Sequence, residues 1–224
     1  MLVNLLQEAV PAAVPQEMSE SIISMAAKGG SLMIVLLVLS ILAIYLIGKK
    51  WWMIRASSKI DKNFMDDIRD YIHDGKLQSA KALCEHYDSP VARMIEAGIC
   101  RIGRPLSDIQ TAVENVGNVE VERLEKGLPY LAMIAGGAPM IGFLGTVIGM
   151  VQAFFNMAHA GSNVDISLLS GGIYTAMITT VGGLIVGILA YFGYNFLSAR
   201  ISNLVFKMES ATIEFMDLLN EPAE

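Results

Sequence analysis

The chain carries no charged side chain between Lys126 and His159, and that stretch limits the fold more than any other feature. A run of roughly 18 or more apolar residues is read as a membrane span. In hydrocarbon each backbone N–H and C=O must be satisfied within the segment, which a helix achieves by itself. Two further stretches qualify, residues 31–48 and 167–199, and no Asp, Glu, Lys, Arg or His lies inside any of the three. Hydrophobic residues make up 54% of the 224, and the charges collect at about 49–126 and beyond 200 instead of spreading over a soluble surface. The expected fold is an all-α integral membrane protein with three transmembrane helices.

Orientation follows from the flanks. Lys49, Lys50, Trp51, Trp52 and, farther along, Arg200 read as cationic and aromatic interfacial anchors. Excess Lys and Arg marks the cytoplasmic side. The N-terminal part has Glu8, Glu17 and Glu20 but only Lys28, and the connection around Gly161 and Asn163 has neither Lys nor Arg. The N-terminus is therefore expected in the periplasm and the C-terminus in the cytoplasm.

The order of segments is then a periplasmic tail with a short amphipathic helix (1–30), a first span (31–48) and a cytoplasmic helical domain (49–126). A second span (127–158), a periplasmic loop (159–166), a third span (167–199) and a cytoplasmic C-terminal helix (200–224) complete it. The second and third spans are longer than a crossing needs and are expected to extend into the cytoplasmic domain. Within that domain Phe64, Ile68 and Ile72 recur at helical spacing, Gly75 reads as a stop, and Ser107-x-x-Gln110 reads as a capping box opening a helix that runs on into the membrane. Pro139, after Gly136-Gly137, predicts a kink.

The second and third spans differ in kind from the first. Gly142 to Gly149 reads GFLGTVIG, and the third span repeats a GxxxG at Gly183 and Gly187. Glycine costs a helix about 1 kcal/mol against alanine in water, but in a membrane small residues let backbones approach. Gly142, Gly145, Gly149, Gly183 and Gly187 are thus expected at tight helix contacts, in an oligomeric bundle. At a period of 3.6, Thr146 shares a face with Gly142 and Gly149, and Thr180 with Ala176 and Gly183. A hydroxyl donates and accepts, so such a wall can hold water in a narrow polar pathway. The plainer reading is that each threonine bonds to a carbonyl one turn back and serves packing.

Other chemistry is poorly served. His73, His86 and Cys84 have no recognised zinc spacing, and no P-loop or GxSxG motif is present. Cys84 and Cys100 read as two ordinary packed thiols. No basic stripe of the nucleic-acid kind accompanies the net charge of −6. No enzyme, metal or cofactor is expected. Ion and proton sites in membranes are normally built on ionisable residues, so a proton-handling role would need a carboxylate from another chain.

The stretches GFLGTVIGMVQAF and TAMITTVGGLIVGI resemble the two signature spans of the MotA/TolQ/ExbB proton-channel family. Three spans with a cytoplasmic domain after the first are similar to its ExbB branch; the MotA branch has four. The resemblance implies a homo-oligomer, a pentamer, whose second and third spans line a pore around an ExbD-like single-span protein with a membrane aspartate. It implies a subunit of an inner-membrane motor in Gram-negative bacteria, in which the proton motive force, through a TonB-like protein, energises outer-membrane transport. By motif position Thr146 and Thr180 would line the proton pathway, with Thr175 and Thr179 as further polar groups. Many relatives carry a glutamate where this chain has Thr175. A TolQ-like subunit of an envelope-constriction motor and a structural membrane scaffold without conduction are the alternatives. Membrane lipids are expected partners.

Overall fold

The computed structural model describes residues 30–58, 63–159 and 166–220. The expected surface helix within 1–29, the connection 160–165 and the last acidic residues lie outside these. The described residues form seven helices and no strand: α1 Ser31–Ser57, α2 Phe64–His73, α3 Leu77–His86, α4 Pro90–Ile99, α5 Leu106–Glu125, α6 Leu128–His159 and α7 Ile166–Asn220. Three helical stretches, in α1, in α5–α6 and in α7, are long and apolar enough to cross a membrane. The chain is a multi-pass, all-α membrane protein.

By internal contacts the chain forms two compact units. The first holds α1 as far as Leu36 together with Ile141–Gly183, the second Leu37–Met140 together with Leu184–Glu224. In the first unit α1 meets the other two spans through small residues: Leu32 lies over Gly145, and Met33 and Leu36 lie over Gly182. Most other α1 side chains in the apolar stretch point outward, among them Ile34, Leu37, Ile41 and Ile44. An all-apolar surface of this kind suits lipid.

The second unit contains the helical domain, in which α2, α3, α4 and α5 each pack on the next. Local signals explain its corners. Ser89 caps α4, its Oγ accepting from Ala92 N at 3.1 Å with Pro90 in the first turn. Gly75 closes α2 with φ +71, a conformation glycine adopts without strain. Against expectation, no capping box opens α5: the helix begins two residues earlier, Pro105 stands at the cap, and Gln110 donates to Glu114 instead. Nor does α5 run unbroken into the membrane. It stops at Lys126 and Gly127, where Gly127 takes φ +101.

Two features of the long helices matter for the site. α6 continues through Pro139, whose ring lies against Gly187 of α7 within the second unit. α7 is a single helix of 55 residues, about 80 Å at 1.5 Å per residue, and it passes residues 199–200 without a break. Its distal half buries Leu197, Ile201, Leu204, Met208, Ala211, Phe215 and Leu218. That alternation of four and three residues keeps one stripe inward, so the helix has no reason to stop where the apolar span ends. Phe215, fully buried, occupies the space over Gly98 of α4.

Candidate functional site

Within the first unit, α6 and α7 approach closely because glycine faces backbone. A Cβ on Gly142 would lie 2.8 Å from the Thr179 carbonyl oxygen and 3.1 Å from the Cα atoms of Gly183 and Thr180. Gly145 faces the Thr179 side chain, Gly149 faces Ala176, and Gly172 faces Ala153. In the second unit Gly187 leaves room for Pro139, with the Ala135 carbonyl 3.1 Å from where its Cβ would be. The close approach these glycines permit is between two helices of one chain. Without hydrophobic drive between apolar helices, close packing and polar contacts hold them.

This approach brings three hydroxyls onto one backbone carbonyl. Thr180 Oγ1 lies within hydrogen-bond reach of Gly142 O at 3.1 Å, and Thr179 Oγ1 lies 3.2 Å from the same oxygen. Thr146 Oγ1 lies 3.4 Å from it and 3.3 Å from Ala176 O, and it is hydrogen-bonded to Thr180 Oγ1. Each hydroxyl has one proton and two acceptor positions. Thr179 has its shortest bond, 2.7 Å, to Ala176 O and donates there. The remaining two protons admit two arrangements. Thr146 can donate to Thr180 and Thr180 to Gly142 O, or Thr180 can donate to Thr146 and Thr146 to Ala176 O. The pair therefore forms a hydrogen-bonded chain whose direction can reverse by turning two O–H bonds. Thr146 does contact the carbonyl one turn back, as a packing threonine would, but it also crosses to the neighbouring helix.

Thr146 and Thr180 are half-buried, so this chain is reachable from one side. Thr179 is 3% exposed and wedged between the helices. As a residue adjacent to Thr180 it is turned about 100° around the helix axis, into the α6 contact. Thr175 is not part of the cluster. It borders a separate polar groove of about 570 Å³ with Gln152, Asn156 and Gly149.

The anchors also separate. Trp52 is 81% exposed, and Lys49 lies 5.8 Å from the Tyr45 ring centre. Trp51 stacks on Phe196, with Arg200 over the other ring at 5.3 Å. Lys50, by contrast, is only 6% exposed and donates to Arg123 O at 3.2 Å and Leu124 O at 3.0 Å. These carbonyls end α5, and a cation there satisfies groups that no further turn can reach. The missed signal is spacing, since Leu36, Ala43 and Lys50 recur every seven residues and all are buried.

The sequence reading also missed the pair that closes the helical domain. Arg93 of α4 and Glu120 of α5 form a two-point contact at 2.8 and 2.7 Å, with Asp88 on the remaining guanidinium nitrogen. Cys84 is buried, but Cys100 is exposed rather than packed, because it ends α4 at its open side.

Comparison with known proteins agrees with this architecture. Residues 86–210 match the model of the MotA/TolQ/ExbB proton channel family. The chain is 35% identical over 136 residues to a biopolymer transport protein ExbB homolog of Methanothermobacter thermautotrophicus, covering 60% of this chain and 47% of the relative. It is 31% identical over 168 residues to the biopolymer transport protein ExbB-like 1 of Synechocystis, covering 73% and 65%. It is 35% identical over 106 residues to the Tol-Pal system protein TolQ of Haemophilus influenzae, covering 47% and 46%. The chain thus spans from about half to just under two thirds of the length of these relatives. The chain belongs to the MotA/TolQ/ExbB proton channel family.

Proposed function

We propose that this chain is an ExbB-like subunit of a proton-driven motor in a bacterial inner membrane. It works as a homo-oligomer, a pentamer, around an ExbD-like single-span protein and, with a TonB-like protein, energises transport across an outer membrane. The observation that carries this reading is the reversible hydrogen-bonded pair of Thr146 and Thr180 inside spans that have no ionisable group. Hydroxyls that can turn in either direction offer a donor or an acceptor to a partner carboxylate and its water as that group gains and loses a proton. They do so without the cost of a second buried charge. Gly142, Gly145, Gly149 and Gly183 give the pair its close spacing, Gly187 packs on Pro139, and Thr175, in place of an acid, lends the neighbouring groove a neutral polar group.

The test is Thr146→Val and Thr180→Val, each close in shape and without the hydroxyl. Each lost hydrogen bond is worth on the order of 1 kcal/mol, so proton flux through the reconstituted complex should fall about fivefold or more. Thr→Ser at either position should restore most of it. Normal flux in both valine variants, with assembly intact, supports the scaffold reading instead.

A second reading keeps the motor and changes its task. Similarity to a Tol-Pal system TolQ protein at 35% identity favours a TolQ-like subunit in envelope constriction as strongly as the ExbB-like one. The protein recovered with this chain from a mild-detergent extract separates the two.

A further inference from the structure

The ends of α1 and α7 that leave the apolar stretch enclose a groove of about 400 Å³ in the second unit. Its charged lining is Arg55 from α1 and Arg200 and Lys207 from α7, and among the described residues no acidic side chain lines it. Among the described residues none of these three cations is paired with a carboxylate. Ser58 and Asn203 add hydrogen-bonding groups between them. The floor is apolar: Ile54, Leu197 and Leu204 are 6%, 1% and 4% exposed. Three cations over a low-dielectric floor concentrate positive potential in a concave space.

We propose that this groove binds the headgroup of an anionic phospholipid from the leaflet on the Lys- and Arg-rich side of the membrane. Basic pockets between membrane helices at that level take phosphate-bearing headgroups. Two observations favour a lipid over a free phosphate. Trp51, which lines the groove, stacks on Phe196 at 5.0 Å, and the Arg200 guanidinium lies 5.3 Å from the centre of the same Phe196 ring. The cation is thereby held where aromatic side chains mark the membrane interface. Toward the span, Phe196, exposed and stacked on groove-lining Trp51, carries an apolar surface onward from the groove, as an acyl chain requires and a free anion does not. Lys50, one residue from Trp51, is already committed to the α5 carbonyls and takes no part.

Trp51 is the reporter. The full chain carrying Trp52→Phe has one tryptophan, and its fluorescence is followed in neutral detergent micelles. Phosphatidylglycerol or phosphatidylcholine with brominated acyl chains is titrated in. The expected result is quenching by the anionic lipid at concentrations about tenfold lower than by the zwitterionic one. Arg200→Gln/Lys207→Gln should remove that preference, while Arg101→Gln/Arg104→Gln, the same charge change elsewhere, should keep it. Millimolar inorganic phosphate should not relieve the quenching. Equal quenching by the two lipids, or an unchanged preference in Arg200→Gln/Lys207→Gln, overturns the proposal. Relief by inorganic phosphate overturns it in favour of a free-anion site, and protection of Trp51 by an added acidic peptide overturns it in favour of a protein partner. Should the groove variant not fold, the lipid preference of the Trp52→Phe chain decides the question alone.

Discussion

Arg93 holds Glu120 by two parallel hydrogen bonds, joining α4 to α5 across 27 residues of sequence. The Glu120 carboxylate is 8% exposed, and its hydrogen bonds keep the Arg93 guanidinium above its ordinary pKa. Breaking a buried pair from one side leaves an uncompensated charge, at a cost of about 3–5 kcal/mol. Arg123, 3.8 Å from the same carboxylate, can take up part of the loss. Arg93→Ala should therefore destabilise the helical domain by about 3 kcal/mol in denaturant melts of the purified chain. Arg93→Lys should fall between, since an ammonium has no planar fork.

The Thr146–Thr180 bond predicts coupling, beyond the loss from either residue alone. If the two hydroxyls act as one chain, Thr146→Val/Thr180→Val should reduce proton flux little more than the worse single variant. Independent hydroxyls would give additive free-energy changes. A double-mutant cycle on flux in liposomes holding the complete complex distinguishes these outcomes.

Gly142 and Gly136 should respond oppositely to alanine. At Gly142 the new methyl meets backbone that cannot yield, and overpacking of this kind costs about 1–3 kcal/mol. Nothing lies within 4 Å of a Cβ at Gly136, so only the helix preference for alanine remains, at most about 1 kcal/mol of gain. Thermal melts of both variants in the same detergent provide the comparison.

The two thiols should differ sharply in reactivity. Burial, with Glu96 adding to it, pushes the Cys84 thiol up to about 12, while Cys100 is exposed. At pH 8 iodoacetamide should modify Cys100 and spare Cys84 until the chain is unfolded, as read by peptide mass. The sign of the linkage follows. Above the ordinary value of 9.0 the unfolded chain ionises at Cys84 and the folded chain does not, so stability is lost as pH rises from there toward about 12. Cys84→Ala should flatten that part of the pH–stability curve.

Lys50→Met should destabilise by about 1.5–3 kcal/mol, the range for hydrogen bonds to a charged group. Amide exchange should quicken in the last turn of α5, whose carbonyls it serves. Lys49→Met, on the exposed side, should leave that exchange unchanged.

What could be read in the sequence divides along physical lines. The spans were legible because hydrocarbon excludes charge from long stretches, as between Lys126 and His159. The faces carrying Thr146 and Thr180 were legible because helical period is fixed. Their partners were not: which helix meets Gly142 depends on backbone separation, which no spacing within one helix encodes. Thr179 and Thr180 are neighbours in sequence, yet one is wedged and the other reachable. Lys50 and Lys49 differ in the same way. The Arg93–Glu120 pair was invisible because charges on two short helices pair according to how those helices dock. The Ser107-x-x-Gln110 pattern misled because a helix already begun at Leu106 leaves its serine no cap to make.

The acceptor shared by the hydroxyl cluster is the Gly142 carbonyl, an atom of the main chain. No codon change removes it. Exhaustive side-chain mutagenesis would rank Thr146, Thr180 and the glycine by their effects and remain blind to the oxygen they converge on. A chemical substitution is the direct probe: replacing the peptide bond after Gly142 by an ester weakens that oxygen as an acceptor while every side chain stays the same. Among related chains, the hydroxyl partners are free to vary by substitution, whereas this oxygen can be displaced only by an insertion or deletion that shifts the helical register.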